Sequence, residues 1–320
     1  MRLNYFNNLN NEYSIDIYLI MTFPKNHVIE NEEKIRVQKP QGSNVVNLDI
    51  VFNPISPHNN ALIILNQSIS IVNFLKVWEH YRLKICADGG ANRLFDFFSK
   101  DEDRKNHLPD YIIGDFDSLR DDVKRWYESH GVKTIKQSTQ YATDLNKCLD
   151  FVEIYYDGMV NSLAIENIND YDGILKLHAQ IKRKGSKIDV LILGGIDGRF
   201  DHTIHSISLL LKLSDLNPNL SAFFITFTDL IFLIPKGSNS IEFNTIQSFH
   251  GSNCGLLPLG GPVVLSTSGL KWDVKNWESS IKGAVSSSNR IVGDSRFLIN
   301  TNDDLVLSIE LDYDKISNYE

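Results

Sequence analysis

The run Leu83-Lys84-Ile85-Cys86-Ala87-Asp88-Gly89-Gly90-Ala91-Asn92 reads as a short buried strand that ends on an aspartate and two glycines and leads into a helix. The same pattern recurs on either side. Ala61-Leu62-Ile63-Ile64-Leu65 is strand-like, and Ile69 to His80 carries apolar residues at helical spacing. Tyr111-Ile112-Ile113 ends in Gly114-Asp115, followed by a helical run from Asp121 to His130 and a strand-like Lys133-Thr134-Ile135. Thr143-Asp144 precedes a helical run from Leu145 to Tyr155. Asp189-Val190-Leu191-Ile192-Leu193 ends in Gly194-Gly195, with a helix near His202–Leu213 beyond it.

Strands alternating with helices predict a Rossmann-like, mostly parallel sheet with helices on both faces. Such sheets bind ligands beyond the carboxyl ends of their strands. Asp88, Asp115 and the Gly194–Asp201 loop all follow strands directly, so they should meet at one edge.

After Phe232 the pattern changes to short apolar stretches separated by Gly, Ser, Asn and Pro: Ser240–Phe243, Cys254–Pro258, Val263–Ser266, Gly283–Ser286, Phe297–Thr301 and Leu305–Leu311. This predicts an antiparallel β-sandwich domain. Residues 1–46 are rich in Asn, Glu and Lys and predict a weakly ordered extension. The expected division is therefore 1–46, an α/β domain over 47–232 and a β domain over 233–320. Asn161–Tyr171 reads as a surface loop.

The 320 residues suffice for about two domains. The net charge of −8 argues against nucleic acid or an anionic membrane as partner, since both select Lys/Arg excess. Three cysteines with no CxxC spacing argue against a disulfide framework or a zinc site and point to a reducing, cytoplasmic setting. The apolar run Ile15–Met21 is too short for a bilayer span.

Gly114-Asp115-Phe116-Asp117-Ser118 is the sharpest local signal. Two carboxylates at alternate positions of a strand end repel each other unless a cation joins them. Mg²⁺, a hard ion, is commonly held by one or two carboxylates and substrate phosphates. The competing reading is a chance DxD in a polar loop. Asp88-Gly89-Gly90-Ala91-Asn92 offers close backbone approach and helix N–H groups to an anion, or simply a tight turn. In Thr143-Asp144-Leu145-Asn146-Lys147, Thr143 or Asp144 suits a helix cap. Alternatively Asp144 meets a metal, while Lys147, one turn on, meets phosphate. The Gly194-Gly195-Ile196-Asp197-Gly198-Arg199-Phe200-Asp201 loop can wrap phosphates, with Arg199 as a clamp. It lacks the GxxxxGK[ST] pattern of a P-loop. His202 and His205 read as helix residues rather than metal ligands. Trp272 reads as core by pattern; exposed, it would stack on an aromatic or cationic ligand.

Taken together these runs resemble the eukaryotic thiamine pyrophosphokinases. The resemblance rests on Cys86–Leu94, Gly114–Ser118, Thr143–Leu149, Leu193-Gly194-Gly195 with Gly198–Asp201, Cys254–Pro258, Gly269–Trp272 and Ser286–Asn289, in the family's order from about Ala61 to the C-terminus. It implies transfer of pyrophosphate from ATP to the hydroxyl of thiamine, with Mg²⁺ required, in a homodimer whose active sites lie between subunits. It assigns Asp88, Asp115, Asp117 and Asp144 to metal and phosphate. It assigns catalysis to Asp115, Asp117, Asp144 and Lys147. Gly89, Gly90, Asn92, Gln140, Thr143, Gly194, Gly195, Arg199 and Asp201 join the ATP side. Trp272, Ser286, Ser287, Ser288 and Asn289 form the thiamine side. Around Gln140 the run Thr139-Gln140-Tyr141-Ala142 lacks the acidic neighbours often seen in the family, and His202 stands where Gln is common. Two other readings compete. A magnesium phosphohydrolase of the haloacid-dehalogenase type also places a DxD after a strand, and a non-catalytic nucleotide or thiamine sensor would use the same scaffold.

Overall fold

The computed structural model describes residues 28–52, 59–159, 168, 170–181, 186–243 and 249–313. Residues 1–27, and 161–167 and 169 of the expected surface loop, lie outside these. In chain order the elements begin with β1 (Val28–Glu30), β2 (Asn44–Asn47), α1 (Asp49–Phe52), β3 (Asn59–Ile64), α2 (Phe74–His80), β4 (Leu83–Ala87) and α3 (Gly90–Phe97). Next come α4 (Asp101–Asn106), β5 (Tyr111–Gly114), α5 (Asp121–Ser129), β6 (Lys133–Lys136), α6 (Asp144–Tyr156) and α7 (Gly173–His178). Then β7 (Ile188–Leu193), α8 (Phe200–Leu216), β8 (Leu220–Ile225) and β9 (Asp229–Ile234) follow. The remaining strands are β10 (Gly237–Glu242), β11 (Asn253–Leu257), β12 (Val263–Ser268), β13 (Trp272–Val274), β14 (Trp277–Ser279), β15 (Ser286–Arg290), β16 (Arg296–Thr301) and β17 (Leu305–Glu310).

The described residues fall into two compact units: 47–233 with 243 and 308–313, and 28–46 with 234–242 and 249–307. In the larger unit the strand order is β9-β8-β7-β3-β4-β5-β6. All neighbours from β8 to β6 are parallel, and β9 returns antiparallel to β8. The predicted mostly parallel sheet with helices is thus present. Ala61 to Ile64 and Val190 to Leu193 are buried almost completely, as expected for central parallel strands covered on both faces. From β3 the chain steps to β4, β5 and β6, then returns to β7 on the other side of β3. The carboxyl ends of β3 and β7 therefore flank a topological switch point, where open α/β sheets form their crevices.

The smaller unit consists of antiparallel sheets, as expected. A five-stranded sheet has the order β14-β12-β16-β10-β2, β11 pairs with β15, and β1 pairs with β13. Two expectations change here. Residues 28–46 are not a loose extension: β1 runs beside β13 (Val28↔Val274, Glu30↔Trp272), so its backbone polar groups find partners in the smaller unit. Gly283–Ser286 is not a strand; Gly283 closes a turn on Ser280, and the strand begins at Ser286.

Candidate active site

Four adjacent strand ends converge on a cavity of about 620 Å³ within the larger unit. Leu65, Asn66 and Gln67 follow β3, Asp88 and Gly89 follow β4, Asp115, Asp117 and Ser118 follow β5, and Gly194 and Gly195 follow β7. Gln140, Ala142, Thr143, Asp144, Leu145 and Lys147 line it from the start of α6 and the turn before it, and Arg199, His202, His205 and Ser206 from the start of α8.

Oxygens of Asp88, Asp115 and Asp144 lie within 4.8 Å of one another, the one such acidic cluster among the described residues. Each is fixed by a local device. Asp88 takes a left-handed backbone (φ 44°) directly after its strand, and its Oδ2 accepts the Ser118 N–H at 3.1 Å. Asp115 accepts Gln140 Nε2 at 2.8 Å and the Asp117 N–H at 3.2 Å. Asp144 is the first residue of α6, capped by Thr143, whose Oγ1 accepts the Asn146 N–H at 3.4 Å. Lys147, one turn on and 2 % exposed, donates to Asp144 Oδ1 at 2.9 Å.

The charges are poised for a cation. Burial first, then the neighbouring Asp144 carboxylate, pushes the Asp88 pKa up to about 6. Burial also raises Asp144, against the pull of Lys147. Burial would raise Asp115 too, but the hydrogen bonds from Gln140 and the Asp117 N–H and the Lys147 charge outweigh it and hold it low. Asp88 Oδ1 is buried with no hydrogen-bond partner. A buried oxygen without a donor, beside two further carboxylates, fits a hard divalent cation such as Mg²⁺.

Glycines make this closeness possible. A Cβ on Gly114 would stand 2.7 Å from Asp88 Cβ and 3.3 Å from Asp144 Oδ1. A Cβ on Gly90 would stand 2.1 Å from the Ile64 carbonyl oxygen, so this glycine serves the seating of α3 against β3.

Several expected site residues sit differently from the sequence reading. Asp117 lines the cavity but lies outside the carboxylate trio. Phe116, in the left-handed region (φ 65°), turns the chain so that Asp117 is exposed and accepts from Ser118 Oγ at 2.9 Å. The Asn92 amide is spent on the β5–α5 loop, donating to the Ser118 carbonyl at 2.8 Å and accepting the Arg120 N–H at 3.1 Å. Arg199 reaches the cavity but is held by Asp201 through Nε at 3.1 Å and Nη2 at 2.6 Å, both side chains well exposed. Asn66, Gln67 and Ser206 are not singled out by the sequence, Gly114 stands out only within its motif, and His205 reads there as a helix residue. Asn66 and Gln67 were signalled by their position directly after a strand. Gln67 packs against Gly194 and Gly198, and His205 Nε2 lies 3.2 Å from Thr143 Oγ1.

In the smaller unit, Trp272 is 37 % exposed, not core; the buried tryptophan is Trp277, at 1 %. Asn289 clamps the Trp272 backbone, accepting its N–H at 3.1 Å and donating to its carbonyl at 2.8 Å. Ser286 is buried, whereas Ser287 and Ser288 are exposed on the same strand.

A family model described as thiamin pyrophosphokinase, catalytic domain, matches residues 74–223, and one described as thiamin pyrophosphokinase, vitamin B1 binding domain, matches residues 238–306. A thiamine pyrophosphokinase of Saccharomyces cerevisiae is 41 % identical over 313 residues, covering 91 % of this chain and 98 % of the relative. The chain belongs to the thiamine pyrophosphokinase family. The crystal structure of the yeast thiamin pyrophosphokinase superposes with a TM-score of 0.83 at 40 % identity, covering 92 % of this chain and 99 % of that one. The thiamin pyrophosphokinase of Candida albicans gives 0.81 at 37 %, covering 89 % and 98 %. The catalytic-domain match contains the whole carboxylate trio and Lys147, and the B1-binding match contains Trp272 and Ser286–Asn289. Asn66 and Gln67 line the same cavity from outside both matches.

Proposed function

We propose that this chain transfers pyrophosphate from ATP to the hydroxyl of thiamine, giving thiamine pyrophosphate and AMP. The observation that carries the reading is the convergence of Asp88, Asp115 and Asp144 with the buried Lys147 at adjoining strand ends.

The thiamine hydroxyl oxygen attacks the β-phosphorus of ATP. The bond from that phosphorus to the oxygen bridging the α-phosphate breaks, and AMP leaves with that oxygen. Such a transfer needs positioning and charge neutralisation more than covalent help. Asp88, Asp115 and Asp144 would hold Mg²⁺, which supplies neutralisation of the triphosphate when bound. Lys147 offers a fixed cation to the same charge, and Arg199 can exchange Asp201 for a phosphate. Asp117, exposed and outside the trio, is the carboxylate available to accept the hydroxyl proton. Gly194, Gly195, Gln140 and Thr143 line the ATP side, with Gly89 beside them.

On the thiamine side, the exposed face of Trp272 suits the cationic thiazolium ring. Ser287 and Ser288 present exposed hydroxyl groups to the pyrimidine, while Asn289 holds Trp272. The proposed functional form is a cytoplasmic homodimer with active sites between subunits, which sedimentation would test. Among the described residues no helix is long and apolar enough to cross a membrane.

The deciding experiment incubates the full chain with ATP, thiamine and Mg²⁺. Equimolar AMP and thiamine pyrophosphate, with no AMP when thiamine is omitted, is the expected result. Phosphate release from a phosphomonoester without acceptor would instead indicate a hydrolase, and binding without turnover a sensor.

A further inference from the structure

Residues 28–37 lie outside both family-model matches, yet their β1 runs directly along β13, the strand that opens with Trp272. One end is tied by β1, where Glu30 is in register with Trp272. The other is tied at Ile35, whose N–H donates to the Val292 carbonyl at 2.9 Å and whose carbonyl accepts the Asp294 N–H at 2.9 Å. Val37 is buried just beyond, against Gly269.

Between these ties the side chains reach the residues flanking Trp272 and Asn289. Asn31 donates to the Leu270 carbonyl at 2.8 Å and to the buried Asp273 carboxylate at 2.5 Å, and its backbone N–H donates to the Lys271 carbonyl at 2.9 Å. Lys271 Nζ in turn donates to the Asn31 carbonyl at 2.7 Å. Glu33 bridges Lys271, just before β13, and Arg290, the last residue of β15. Its carboxylate lies 3.4 Å from Lys271 Nζ and accepts from Arg290 Nη2 at 2.7 Å on each oxygen. Lys271 precedes Trp272, and Arg290 follows Asn289, the residue that clamps the Trp272 backbone.

We propose that this N-terminal segment is a strap that positions the Trp272 ring for thiamine, with Glu33 as its positioning residue. The inference rests on the reading of Trp272 as a thiamine contact. Glu33 is 68 % exposed, and exposed ion pairs contribute little to global stability. A partly exposed aromatic ring, however, binds only as well as its backbone holds it, because ordering a loose loop is charged against affinity. Glu33 should therefore act on thiamine affinity far more than on folding.

The test measures the Michaelis constants for thiamine and ATP, together with the melting temperature, in full-length Glu33→Ala, Glu33→Gln and Trp272→Ala. Glu33→Ala should raise the thiamine KM about fivefold, as expected for losing charge-assisted contacts that hold the residues flanking Trp272. Glu33→Gln, which keeps an acceptor for Arg290, should fall between Ala and wild type. The ATP KM should stay within about twofold of wild type. A wild-type thiamine KM in Glu33→Ala, beside a raised one in Trp272→Ala, would overturn the strap, as would a parallel rise in the ATP KM. An unchanged thiamine KM in Trp272→Ala would instead overturn the underlying reading of the thiamine side.

Discussion

A Cβ on Gly114 would stand 2.7 Å from the Cβ of Asp88, closer than real side-chain carbons come. The last residue of β5 thus sets how near the carboxylates of neighbouring strand ends can lie. Asp88 must move if Gly114 gains a side chain, because the contact is with its Cβ and backbone rather than with a flexible tip.

Gly114→Ala should therefore lower kcat about 100-fold, since misplacing charge-stabilising groups by about 1 Å can cost that much. It should cost roughly 1–3 kcal/mol of stability, the usual range for overpacking. Steady-state kinetics and urea unfolding check both; wild-type kcat would show that the trio tolerates the shift.

The placement of Asp117 outside the trio separates it from Asp115. Asp115→Asn should raise the Mg²⁺ concentration for half-maximal activity by about tenfold or more, as for loss of a direct ligand. Asp117→Asn should leave that requirement within about threefold while lowering kcat by about 10²–10⁴, the range for a general base. Magnesium titrations of both variants at saturating ATP and thiamine decide it; equal shifts in the Mg²⁺ requirement would put both carboxylates on the metal.

The raised pKa of Asp88 sets a pH dependence. Between its ordinary value of 3.8 and about 6, the folded metal-free chain keeps a proton that the unfolded chain has released. This contribution to stability is therefore full below 3.8 and lost as pH rises through about 6. Mg²⁺ needs the ionised form, so its stabilising effect runs the other way and fades as pH falls through about 6. Melting temperatures with and without Mg²⁺ at pH 5 and pH 7.5 should show the larger Mg²⁺-induced rise at pH 7.5. Asp88→Asn should shrink that difference.

The two tryptophans should separate cleanly. Trp277→Ala removes a fully buried side chain and should cost roughly 3–5 kcal/mol. Trp272→Ala should change stability by under about 1 kcal/mol, as at exposed positions, yet raise the thiamine KM. Chemical denaturation beside thiamine kinetics tests the pair; comparable destabilisation in both would remove the distinction.

The sequence by itself determined the parallel sheet, its alternating helices and the edge where Asp88, Asp115 and the Gly194–Asp201 loop follow their strands, while Asp144 was joined to them only by the family resemblance. Those features follow from short-range rules: apolar runs make buried strands, period 3.6 makes helices, and a residue directly after a parallel strand must lie at its carboxyl end. That Lys147 faces the same way as Asp144, one helical turn on, was legible for the same reason, but its hydrogen bond to the Asp144 carboxylate was not. Only the tertiary structure decided which groups were already engaged. Asn92 is spent on a loop 26 residues away, and Asn31 reaches Asp273 across 242 residues. No local pattern carries such pairings. It also decided which tryptophan is exposed: Trp272 opens β13 on its accessible side, whereas Trp277 is fully buried in β14. Hydrogen-bond partners and burial belong to the assembled chain, and they separate a carboxylate or aromatic ring free to meet substrate from one that holds the fold.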